Sequence, residues 1–187
     1  MKKLSLFILM FGLLSPQFAF AHFHYELPLE TSLQANKKGE LTGLNITWIY
    51  DDALTDLMLK DQKDVNKLAK KLNNDLQTLS YFTALKLNGK GLDFAKVSNF
   101  KLQELKHKDY KNLELNFTLP LKKPVSLKGK NTLVFRHEDA NASAILYYDK
   151  PQKLQLGTFK SHCKVDITEK KDFEEGEAPQ NIKVVCL

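Results

Sequence analysis

The sequence predicts an α+β protein: a mainly antiparallel β-sheet or sandwich with one helical insert over about residues 53–80. Three observations lead there. Many short segments place apolar residues at every second position, the spacing of a strand. One stretch alone repeats at three- and four-residue steps, the spacing of a helix face. Turn chemistry separates the strand segments, at Asn88-Gly89, Lys108-Asp109, Pro120 to Pro124 and Lys128-Gly129. The chain has 187 residues, 43% of them hydrophobic and 27% charged, a globular composition that excludes a disordered chain and a multi-span membrane protein.

Residues 1–21 read as a cleaved signal peptide. Lys2 and Lys3 supply a positive start, an apolar stretch runs from Leu4 to Leu14, and Ala19-Phe20-Ala21 is a small-x-small cleavage site. The apolar stretch falls short of the roughly 20 residues that span a bilayer, and no later segment reaches that length. Residues 22–187 are expected to form one domain, since no internal linker is visible.

Phe23 to Leu33 alternates as a strand, with Pro28 making it an edge strand or a bent one. Asn36-Lys37-Lys38-Gly39 is a turn, and Leu41 to Tyr50 is the second arm of a hairpin. A short helix is expected over 53–60. A longer one follows, with Asp64 as its N-cap and Val65, Leu68, Ala69, Leu72, Leu76 and Leu79 on one face. Further strands are predicted over 82–88, 92–97, 99–107, 112–118, 132–137, 143–149, 153–166 and 181–186. The charged stretch 170–180 is a loop between the last two.

Export gives the cysteines their meaning. Cys163 and Cys186 are the only two, and two thiols in an oxidising compartment read as a disulfide. It ties the C-terminal hairpin together, worth roughly 3 kcal/mol in the chain-entropy account.

The net charge of +6 is almost wholly lysine, because Arg136 is the only arginine. The lysines are spread along the chain and read as a solvated face. Nucleic-acid readers rely on arginine for bidentate contacts, so no nucleic-acid partner is expected. No nucleophile elbow, P-loop, H-E-x-x-H or dinucleotide fingerprint is present, and no enzymatic activity is predicted.

The chemistry concentrates at the predicted new amino terminus. Cleavage after Ala21 leaves His22-Phe23-His24 at the start. Residues two apart on a strand face the same way, so two imidazoles can converge on one ion. Imidazole suits zinc, copper and nickel. The free amine adds a donor. In a competing mode, the amine, two deprotonated amides and the His24 ring form a square-planar set for Cu(II) or Ni(II). Two histidines do not complete a zinc site, which takes three or four protein ligands. His137 and Asp139, at the end of a predicted strand, and Asp51, at the end of the hairpin, are the candidates to complete or orient it. His162 neighbours Cys163, and His107 stands in a lysine-rich stretch; neither is a leading candidate.

The order of these features resembles a known family. A signal ending in Ala is followed by His-x-His-aromatic, then Trp48-x-Tyr50-Asp51-Asp52 and a helix. Tyr81-Phe82-Thr83, Asn88-Gly89, Leu115 to Leu121 and a late Asp complete the order. The pattern is similar to an uncharacterised family of exported bacterial proteins described as periplasmic transport-system components, including ZevA-type zinc-acquisition proteins. The resemblance implies a periplasmic, zinc-binding accessory of metal uptake that works with an inner-membrane permease of nickel/cobalt type. It places His22 and His24 on the family's opening histidines, Asp51 on its acidic position and Asp139 on its late Asp. The family has Pro where this chain has Phe23, which favours the imidazole mode over the amide mode. Its acidic insert before the long helix is reduced here to Lys60-Asp61-Gln62-Lys63-Asp64, so no calcium site is expected.

The expected function is therefore an exported transition-metal-binding accessory protein, with zinc first and nickel or copper as alternatives. Two other classes stay open: a β-rich interaction module of the cell envelope with incidental histidines, and a copper enzyme built on the amino-terminal histidine.

Overall fold

The computed structural model describes residues 25–174 and 176–187. Two sheets bury their inner faces against one shared core. The first contains β1 (Tyr25–Ala35), β2 (Glu40–Tyr50), β5 (Ser98–Lys106), β6 (Lys111–Ser126), β8 (Ala144–Tyr147) and β9 (Leu154–Gln155). Its order is β5-β6-β2-β1-β8, with β9 also on β1. The second contains β3 (Thr83–Leu87), β4 (Lys90–Gly91), β7 (Asn131–His137), β10 (Cys163–Glu169) and β11 (Gln180–Cys186), in the order β10-β11-β7-β3-β4. The pairs are antiparallel except those of β1 with β8 and β9, which are parallel.

The period-two pattern becomes the core. Leu44, Ile46, Trp48 and Tyr50 of β2 face inward with Leu113, Leu115, Phe117 and Leu119 of β6. Leu85, Leu133, Phe135, Ile182 and Val184 answer from the second sheet. Trp48 stacks on Phe82 at 5.9 Å between ring centres and meets Phe117 edge-on at 5.2 Å. Burying a side chain of this size is worth about 2–3 kcal/mol, so this face decides which way β2 turns.

The insert between the sheets is α1 (Asp52–Asp61) and α2 (Val65–Thr78). Asp51 caps α1 by accepting from Leu54 N, and Asp64 caps α2 by accepting from Asn66 N and Lys67 N. Thr55 pins α1 to the first sheet. Its Oγ1 accepts from Leu113 N at 2.9 Å and donates to the Tyr50 carbonyl.

Four boundaries differ from the sequence reading. Pro120 to Pro124 is not a turn; β6 continues through it. The ladder with β2 bulges there: between the pairs Gly43–Pro120 and Leu41–Val125, residues 121–124 of β6 stand against Thr42 alone. A Cβ on Gly43 would lie 2.5 Å from the Leu119 carbonyl, so glycine and the bulge together let β6 pass. The 92–97 segment makes one bridge, Phe94 to Leu121, rather than a strand. The 153–166 segment breaks into 3-10 turns and short strands. Finally, Ser80, Tyr81 and Phe82 all have φ near +50, a left-handed turn of three residues. Each costs about 1–2 kcal/mol. Burial of Tyr81 and Phe82 and the bond from Tyr81 Oη to Asn73 offset that cost.

Pro28 lies where β1 changes partner. Residues 25–28 pair with β8, and the β2 ladder begins at Leu29. Cys163 and Cys186 are direct cross-strand partners and form the disulfide.

Candidate functional site

The chain enters the described fold at Tyr25, at one end of the sandwich. Tyr25 N donates to the Ser143 carbonyl at 2.9 Å, and Tyr25 pairs with Ala144. The loop it meets, 138–143, leads from β7 to β8. His22 and His24 precede this point and lie outside the described residues. The sequence-predicted partners His137, Asp139 and Asp51 all lie at this same end.

Asp139 is 1% exposed and organises the loop. Its Oδ1 accepts from Asn141 N, and its Oδ2 accepts from Ser143 N, Ser143 Oγ and Ala144 N. Three of these four donors converge on Oδ2 and one on Oδ1. The carboxylate's chemistry here is that of a turn-former, holding the loop in the shape that receives β1.

His137 is likewise 1% exposed. Both ring nitrogens are engaged. Nδ1 lies 3.2 Å from Thr83 Oγ1, and Nε2 lies 3.1 Å from Tyr148 Oη. Thr83 Oγ1 also donates to the Tyr81 carbonyl at 2.9 Å. Tyr148 Oη donates to Thr31 Oγ1 at 2.7 Å. Thr31, Tyr148, His137, Thr83 and the Tyr81 carbonyl thus form one continuous run of polar contacts that crosses from the first sheet to the second. Burial pushes the His137 pKa down to about 4 and raises that of the Tyr148 hydroxyl. Both groups are therefore neutral at pH 7.

Gln180 extends the crossing. Its side chain accepts from Tyr148 N, and its amide donates to the Tyr148 carbonyl and to Glu169. The sequence reading missed Thr31, Tyr148, Thr83 and Gln180. One signal was present: Thr31 interrupts a face otherwise made of Leu27, Leu29 and Leu33. A hydroxyl on a leucine face marks a buried hydrogen bond.

Asp51 is exposed and caps α1, and the Trp48-x-Tyr50 stretch before it is core. His107 stacks on Tyr110 at 4.3 Å, and His162 Nδ1 lies 3.1 Å from Ser161 Oγ. No group of three or more His, Cys, Asp or Glu among the described residues could hold a metal ion. Among them, too, no helix is long and apolar enough to cross a membrane.

Residues 7–182 match a family model described as a protein of unknown function, DUF1007. The chain belongs to the DUF1007 family. Neither a curated protein nor a solved structure matches it. For a DUF1007 member, then, the residues themselves carry the functional reading.

Proposed function

We propose that this DUF1007 protein is an exported, periplasmic accessory of transition-metal uptake that binds zinc, or nickel or copper, as cargo. Signal cleavage after Ala21 would make His22 the first residue, and His22 and His24 would be the primary ligands. One observation carries the reading: the His-x-His pair directly follows the expected cleavage site and directly precedes Tyr25, whose backbone N–H bonds the Ser143 carbonyl.

The buried chemistry behind that anchor narrows the ligand set. The ring of His137 and the carboxylate of Asp139 are committed to internal hydrogen bonds, and Asp51 is committed to a helix cap. Their part in the reading is to shape the end of the sandwich at which Tyr25 enters the fold. The remaining donors would be the free amine, water or a partner. Such an under-coordinated ion is exchangeable, which suits transfer to an inner-membrane permease. The disulfide and the absence of a spanning helix among the described residues are consistent with export.

Isothermal titration of processed protein tests this. Zinc is expected to bind once per chain, more weakly as pH falls through the histidine range. His22→Ala with His24→Ala should abolish binding of zinc, nickel and copper. Unchanged binding in that double variant rejects the reading, as does mass spectrometry showing a different first residue.

A further inference from the structure

The opposite end of the sandwich has a different chemistry. It gathers the β1–β2, β3–β4 and β6–β7 turns. Register brings them together: Glu40 pairs with Ser126, Leu87 with Leu133 and Cys186 with Asn131, and the Asn88 side chain bonds Asn131. Lys37, Lys38, Lys90, Lys123, Lys128 and Lys130 all stand exposed there. Strands about 4.8 Å apart in sheets about 10 Å apart put these six within roughly 20 Å of one another.

None of the six is ion-paired with another described residue. Two acids share the region. Glu40 accepts from Asn36 Nδ2 at 2.8 Å, and Asp93 faces Lys122 at 3.8 Å. Six of the lysines read from sequence as a spread, solvated face are thus brought together by the fold at one end.

We propose that this end docks on an anionic phospholipid surface. Lysine is a compact point charge on a flexible stem, suited to a diffuse plane of headgroup phosphates. Several lysines within about a Debye length of their neighbours act together on such a plane. Nucleic acid fits less well. The sole arginine, Arg136, lies near the other end of β7, and the exposed aromatics Tyr110 and Phe173 also lie at that other end, so neither bidentate contacts nor stacking rings serve this patch. Docking orients the molecule. β1 runs from Tyr25 to the lysine-bearing turn, so an eleven-residue strand at about 3.3 Å per residue holds the Tyr25 end roughly 35 Å from the surface. This inference does not depend on the metal reading.

Vesicle co-sedimentation tests it. The vesicles contain about 30% phosphatidylglycerol in phosphatidylethanolamine, with pure phosphatidylcholine as the neutral control. The proteins are the unaltered chain, an end variant (Lys37→Gln, Lys38→Gln, Lys128→Gln, Lys130→Gln) and a helix variant of equal charge (Lys63→Gln, Lys67→Gln, Lys70→Gln, Lys71→Gln). Any affinity of the leader for lipid is common to all three, so the salt-sensitive part is read. The unaltered chain should bind the anionic vesicles at about 25 mM salt and release at about 300 mM. The end variant should lose at least about tenfold in affinity, and the helix variant less than about twofold. Equal losses in the two variants would show net charge alone at work and overturn the proposal. So would no binding at low salt, or tighter binding to transfer RNA than to the anionic vesicles.

Discussion

The two ends of this sandwich handle polar groups in opposite ways. At the Tyr25 end, Asp139 and His137 are buried and their hydrogen bonds close inside the protein: Asp139 takes four donors, and His137 lies between the hydroxyls of Thr83 and Tyr148. At the turn end, polar side chains are exposed lysines without ion partners among the described residues. A buried polar group that is satisfied internally contributes to stability and has little left for a ligand. An exposed charge contributes little to stability and remains available to a partner. Stability should therefore respond to changes at the first end and to the disulfide, and association should respond to changes at the second.

Asp139→Ala probes that contrast most strongly. Removing a buried acceptor strands several donors at about 1–3 kcal/mol each, so a loss of roughly 4 kcal/mol is expected in urea denaturation. Asp139→Asn should recover part of it. If Asp139→Ala costs under about 1 kcal/mol, the loop does not depend on the carboxylate.

Cys163→Ser with Cys186→Ser should cost roughly 3 kcal/mol, read as a lower denaturation midpoint under non-reducing conditions. The disulfide closes β10 onto β11 at the turn end, so this loss shows how much of that end's order is covalent. A midpoint that does not respond to reductant would contradict it.

His137 makes the third prediction. Its folded pKa, about 4, lies below the unfolded value near 6.5, so the unfolded chain binds more protons between those values. Stability contributed by the neutral ring is present above pH 6.5 and is lost as pH falls toward 4. A drop of about 2 kcal/mol from pH 7 to pH 5 is expected from this group. His137→Gln should flatten that part of the profile. An unchanged slope in the variant would assign the acid sensitivity to other groups.

Asp51→Ala is the smallest. Loss of the α1 cap should cost about 1 kcal/mol and, on the proposed function, leave zinc affinity unchanged. A change in metal affinity would return Asp51 to the ligand set.

Much of this architecture was legible in the residues. The α2 face, its Asp64 cap, the first hairpin and the paired cysteines follow from short-range rules of periodicity, capping and compartment. The errors lie where a local rule met a tertiary exception. Pro120 and Pro124 signal a turn, yet the bulge at Gly43 lets β6 continue. Phe82 begins a good strand pattern, yet Ser80 to Phe82 adopt a left-handed turn stabilised by aromatic packing. For the site, His22 and His24 lie outside the described residues, while His137 and Asp139 are shown at internal work that spacing does not reveal.

The sequence by itself determined the alternation of strands, the helical insert and the residue types available to bind an ion, because these depend on neighbours a few positions apart. Only the tertiary structure decided which polar groups are buried and satisfied and which lysines stand together. Thr31, Thr83, His137 and Tyr148 are far apart in the chain, as are Lys37, Lys90 and Lys128, and only the pairing of distant strands brings either set together.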